Sequence, residues 1–151
     1  MHQHNLKKQE EQMLIVFNRL SSLYYLSFTS KEIFHNKIIG LDRLRRKILI
    51  IEDRSQRYDF RFIDLSEVKA CTLKKTYSSV NGNDPTKNRL EEYLKDITLQ
   101  FDFRSESPPV ALEFYRNITN SIFNMAELES KAKHWEALVS KMLPLPEKKI
   151  V

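Results

Sequence analysis

The side chains able to do chemistry in this chain are few and scattered: 4 His and 1 Cys in 151 residues, with 20 acids among them. A zinc site needs three or four converging ligands, commonly with pairs at short spacing. His2 and His4 form such a pair but have no cysteine companions. His35 falls inside a β-branched run and His134 lies beside Trp135 on a helical stretch, so each reads first as a residue of the fold. Cys71 lies in a strand-like segment, where a thiol behaves as a small buried hydrophobe. No flanking His lowers its pKa, and Lys74 and Lys75 would do so only by folding back onto it. Glu10-Glu11 and Glu91-Glu92 are paired carboxylates, but neighbours on a helix point in different directions. Neither pair makes the desolvated site that general acid–base work requires. Asn117-Ile-Thr119 has the spacing of a glycosylation acceptor, without a secretory signal to accompany it. There is no nucleophile elbow and no ordered triad. The expectation is a protein that is not an enzyme and has no metal site and no cofactor.

Two further patterns concern binding. Arg43, Arg45, Arg46 and Lys47 crowd one predicted turn, and Lys37 stands on the strand before it. If that segment is a hairpin, the five cations come together as an anion-binding patch for phosphate groups of lipid headgroups or nucleic acid. Asp42 intrudes a negative charge, and the plainer reading is a solvated turn. Tyr58, Phe60 and Phe62 alternate with charged residues near Arg57 and Arg61, as in a stacking platform for single-stranded nucleic acid. A core strand has the same pattern, and core is the preferred reading.

Composition bounds the rest. A net charge of +5 is a mild basic excess, and 41% apolar content with 11% aromatic residues supports a real core. A single domain of this length buries about 68–70% of its extended surface. The lone cysteine excludes an intrachain disulfide and fits a reducing compartment. Only Gly40 and Gly82 are present, too few for a dinucleotide or phosphate loop, which needs several glycines to bring backbone amides to phosphate. The longest early apolar run, Met13 to Phe17, falls far short of the ~20 residues that span a bilayer. A cytoplasmic location follows, at the inner face of a membrane if an upstream anchor exists.

These residues are positioned by legible elements. Met13, Phe17, Leu20 and Tyr24 predict a helix over about 6–26, whose polar start, Lys7 to Gln12, projects or frays. Strands are expected over 32–41, 47–51, 58–63 and 68–77, then a polar loop over 78–86 around Asn81-Gly82 and a helical turn over 87–93. Ile97, Leu99, Phe101 and Phe103 alternate with polar residues, as do Val110, Leu112 and Phe114 after a Ser-Pro break, which predicts two more strands. Asn124 caps a last helix with Glu127 as reciprocal partner. On it Met125, Leu128, Ala132, Trp135, Leu138 or Val139, and Met142 share one side, and the prolines at 144 and 146 stop it. Six short antiparallel strands between two helices make an α+β domain, a small bent barrel or sandwich closed by the C-terminal helix.

That order resembles pleckstrin-homology-like domains. Lys37-Ile-Ile-Gly-Leu-Asp42, Ile63-Asp-Leu-Ser-Glu-Val68 and Lys133-His-Trp-Glu136 also look like a family of small bacterial proteins of unknown function. The resemblance implies a helix over 1–28, the domain over 29–143 and a charged tail over 144–151. It implies a non-catalytic module that binds a protein partner. Lys37, Arg43 and Arg45 loosely match the lipid-binding cations of such domains, so binding of anionic lipid or nucleic acid is the alternative.

Overall fold

A computed structural model describes residues 2–55, 57–77, 94–117 and 122–144. The loop expected over 78–86, the helical turn over 87–93 with Glu91-Glu92, the second proline stop and the tail after it lie outside those residues, as do the side chains of His2 and His4. The fold is α+β: the described residues form seven strands in two antiparallel sheets, β1-β2-β3-β4 and β5-β6-β7, preceded and followed by a helix. No ladder joins the two sheets among the described residues, so of the expected barrel or sandwich, a closed barrel is not seen there. The chain divides into two compact units, 1–67 and 68–151.

The first unit holds α1 (His2–Leu23), β1 (Ser30–Phe34), β2 (Lys37–Asp42), β3 (Lys47–Asp53) and β4 (Tyr58–Asp64). The run 32–41 is two strands, not one. Phe34 pairs with Lys37 across the two-residue turn His35-Asn36, with His35 in the left-handed region at φ 52°. The turn is anchored across the sheet: Asn36 Nδ2 donates to the Asp53 carbonyl at 2.8 Å, and the Asp53 N–H returns a bond to the Asn36 carbonyl at 2.8 Å. On β3, Ile48 to Ile51 are all buried, which explains an unbroken apolar run in place of alternation.

Met13 and Phe17 of α1 are fully buried against Ile38, Leu49 and Ile51. The polar start of the helix is not wholly projecting, because Gln9 Nε2 donates to Asp53 Oδ2 at 2.9 Å. The helix ends in a Schellman arrangement: Leu26 N–H reaches the Ser21 carbonyl at 2.8 Å and Tyr25 N–H the Ser22 carbonyl at 3.3 Å. Tyr25 takes the left-handed position, φ 56°, where glycine is the usual residue.

The second unit contains β5 (Val68–Tyr77), β6 (Leu94–Phe103), β7 (Val110–Arg116) and α2 (Ile122–Ser140). Register sets Cys71, Phe101 and Val110 in one cross-strand row and Leu73, Leu99 and Leu112 in the next. The helix packs on all three strands. Its buried stripe is Met125, Leu128, Ala132, Trp135 and Val139, at alternating spacings of three and four. Val139 takes the place of Leu138, which with Met142 is only half-buried. Asn124 lies inside the helix, so it is not the N-cap. Glu127 instead pairs with Lys131 one turn on, 3.6 Å away.

Candidate functional site

The expected cationic patch is only partly assembled. Arg43 to Arg46 form the four-residue loop between β2 and β3, closed by the pair Asp42–Lys47. Lys37 pairs with Glu52 at the other end of the same hairpin. Six residues of strand put it ~20 Å from Arg43. Lys37 is buried there, its Nζ 3.2 Å from Asn36 Oδ1 and 3.9 Å from Glu52 Oε1. It does not belong to the patch. A single strand over 32–41 would have kept Lys37 in line with the turn cations, but the chain reverses at His35-Asn36, just before Lys37.

Asp42, which the sequence presents as an intruding charge, holds the turn together. Its carboxylate is 1% exposed and accepts the Arg45 N–H at 2.9 Å, the Arg45 guanidinium at 3.1 Å and the Ser27 N–H at 2.9 Å. Burial alone would raise its pKa. The backbone N–H groups of Ser27 and Arg45 and the Arg45 guanidinium outweigh that, and the carboxyl is held below its ordinary value. Arg45 is thereby engaged in structure, and Arg46, at φ 57°, gives its carbonyl to Leu65 N–H at 2.9 Å. Arg43 and Lys47 remain exposed, and between the arginines Leu44 stands 86% exposed. The tip is a cationic rim around one large apolar side chain.

A second surface lies at the end of α1. Leu23 is 65% exposed and Tyr25 80% exposed, and the half-exposed Tyr24 ring lies on Phe62 of β4 with centroids 4.4 Å apart. Phe62 in turn meets Phe60 edge-on at 5.8 Å, and Phe60 is half exposed. Phe60 is therefore not core, contrary to the reading of its strand. Period-two alternation identifies which residues share a face, but not how far another element covers that face. Asn18, Arg19, Ser22, Leu23 and Tyr25 line an open depression at the end of α1. Sequence reasoning missed Leu44 and the Leu23–Tyr25 group. The available signal was a large aliphatic residue in a charged turn, and two tyrosines where a helix end calls for Gly or Asn.

The remaining chemistry-bearing residues are spread through the fold. Cys71 is buried, and its thiol is pushed up to about 12 by burial and by the charges of Glu136 and Asp102. It is a small hydrophobe, as expected. His134 is exposed and edge-on to Trp135, and His35 forms the β1–β2 turn. Among the described residues, no three His, Cys, Asp or Glu side chains gather as a metal site, and no helix is long and apolar enough to cross a membrane.

No family model matches this chain, and no curated protein or solved structure does either.

Proposed function

We propose that this chain is a non-catalytic binding module of pleckstrin-homology-like plan that receives a protein partner at the outer end of α1. The division into four and three antiparallel strands with a closing helix supports the plan. The observation that carries the binding reading is Tyr25. It exposes a full aromatic ring at a backbone position suited to glycine, beside exposed Leu23 and Tyr24. A strained aromatic in water costs stability and gains nothing inside the chain, which is the pattern of a contact residue.

The test compares the unaltered chain with Tyr25→Gly and Leu23→Ser. Tyr25→Gly should raise stability by ~0.5–1 kcal/mol by relieving the left-handed residue. Both substitutions should weaken capture of a partner that the unaltered chain retains, once that partner is purified and its affinity measured. Unchanged affinity for both variants would overturn the reading.

A second reading, binding of anionic groups, is favoured by the exposed Arg43-Leu44 tip with Lys47 beside it. It expects sedimentation with vesicles rich in anionic lipid but not with neutral ones, lost as salt rises. Arg43→Glu with Lys47→Glu should abolish it. Oligonucleotides retained in place of vesicles would assign the tip to nucleic acid, and retention untouched by the charge reversals would dismiss it.

A further inference from the structure

β4 is an edge of the four-stranded sheet: it pairs with β3 and with no other strand among the described residues. Exposed edges invite pairing with another chain, and proteins commonly blunt them with charge. Of the three charges on β4, Asp64 at its end accepts from Ser66, while Asp59 and Arg61 are of opposite sign and two residues apart, so they share one face of the strand. Tyr58, Phe60 and Phe62 share the other face.

We propose that two copies of this chain pair antiparallel along β4 about a two-fold axis at Phe60. In that register Asp59 lies opposite the partner's Arg61, and Arg61 opposite the partner's Asp59. Phe60 meets the partner's Phe60 and Tyr58 meets the partner's Phe62, so two ion pairs and three aromatic pairs form from one strand sequence. Cross-strand pairs of these kinds are the units that stabilise sheets. The interface is isologous, as a two-fold dimer requires.

Symmetry singles out β4 among the edges. A two-fold axis perpendicular to a sheet keeps each face on its own side. Only residues an even number of positions apart can then lie opposite one another. On β1 the opposite charges are Lys31 and Glu32, and on β7 they are Glu113 and Arg116. Both separations are odd, so neither strand can bring its opposite charges together by pairing with itself. The outer edge of β5 is taken by Glu136, which accepts the Leu73 N–H. Arg61 is exposed with no ion-pair partner among the described residues. Asp59 already has Arg54 Nε at 3.0 Å and Arg57 Nε at 3.8 Å, yet keeps 46% of its side chain exposed, leaving it able to accept a further donor.

Sedimentation velocity of the whole chain over a micromolar concentration series tests the pairing. The unaltered chain should dimerise. Arg61→Asp sets Asp against Asp and Asp59→Arg sets Arg against Arg, so each alone should weaken dimerisation at least about tenfold. An equimolar mixture of the two variants should form the heterodimer, because each supplies the charge the other lacks. A monomeric unaltered chain, single reversals that leave the dimer intact, or a mixture that stays monomeric would each overturn the proposal. Should a reversal fail to fold, Phe60→Cys provides an independent measurement. Its thiol would face the partner's across the axis, with Cα atoms ~4.5–5.5 Å apart, a separation suited to a disulfide. A crosslinked dimer under mild oxidation supports the register, and its absence refutes it. Tyr25 and Leu23 lie off this strand, so the outcome is separate from that of the binding reading.

Discussion

Glu136 of α2 accepts the backbone N–H of Leu73 on β5, so a helix side chain occupies a hydrogen-bonding position at the edge of the three-stranded sheet. Ser140 Oγ lies 3.5 Å from the Cys71 carbonyl on the same edge, and Glu129 pairs with Lys75 two residues beyond Leu73. Three side chains, spaced seven and four residues apart on one helix, thus follow one strand. The apolar stripe seats the helix on the sheet, and these polar contacts set its position along β5.

Glu136→Ala should therefore cost ~1–2 kcal/mol, the penalty for leaving a partly buried N–H without its acceptor. Glu136→Gln keeps a carbonyl oxygen and should lose less. Amide exchange at Leu73 distinguishes this from a general loosening: in the Ala variant it should rise more than exchange in β6. Equal acceleration across the sheet would show that the contact is incidental.

Trp135 is the sole tryptophan and is 1% exposed at the centre of the α2 stripe. Its truncation to Ala should cost ~3–5 kcal/mol through lost contacts and the cavity left behind. The indole Nε1 is buried without a hydrogen-bond partner among the described residues. Trp135→Phe removes that unsatisfied donor along with some volume and should cost clearly less than the Ala change. Denaturant titrations of both variants, followed by circular dichroism, check the order. Because the chain has one tryptophan, blue-shifted emission reports docking of α2 directly.

Asp42 and Glu129 give the protein an acid-sensitive limb. The hydrogen bond from Lys75 lowers the Glu129 pKa against an opposing effect of burial, with Lys133 adding to the lowering. Burial works to raise the Asp42 pKa, but the Ser27 and Arg45 N–H donors and the Arg45 guanidinium together lower it. A carboxyl whose folded pKa is depressed binds fewer protons than in the unfolded chain. Its contribution is complete above the unfolded values of ~3.9 and ~4.3, and fades as pH falls through them toward the folded values. Melting temperature should be insensitive to these two groups near neutrality and should fall below about pH 5. Asp42→Asn should flatten that limb, and Asp42→Ala should cost ~1–3 kcal/mol at neutral pH by leaving the Ser27 and Arg45 N–H groups without their acceptor. A melting temperature unchanged down to about pH 3 would remove both carboxylates from the account.

Much of the scaffold is legible in the sequence because periodicity and burial coincide there. Trp135 and Phe101 lie on apolar stripes that are buried in the fold. The β1–β2 hairpin is not legible in the sequence because no glycine marks it: His35 takes the left-handed position and Asn36 provides the anchor. The place of Lys37, opposite Glu52 at the far end of the hairpin, is hidden for the same reason. The basic turn is visible as composition, but which of its cations are available is decided by Asp42, whose long-range bond to Ser27 no local pattern encodes. Leu44 and Tyr25 are apolar residues left exposed, and hydropathy alone assigns such residues to the core.

Gly40 is where α1 comes down on the sheet. A Cβ added there would stand 2.6 Å from Phe17 Cζ and 2.7 Å from Phe28 Cδ1, inside the contact limit for both rings. Those rings pack on each other with centroids 4.7 Å apart, and Phe17 is fully buried, so neither can yield without disturbing the other. In an ordinary strand, Ala is the better residue, because glycine loses more backbone entropy and packs nothing. Here the sign reverses, and Gly40→Ala should destabilise by ~1–3 kcal/mol as an overpacked core. Phe28→Leu should cost stability by itself, yet make room for the methyl, so the double variant should be more stable than the sum of the single effects implies. Denaturant unfolding of the four proteins measures the coupling. Additive effects would mean that α1 can ride over a side chain at this position, and that glycine is not what seats it.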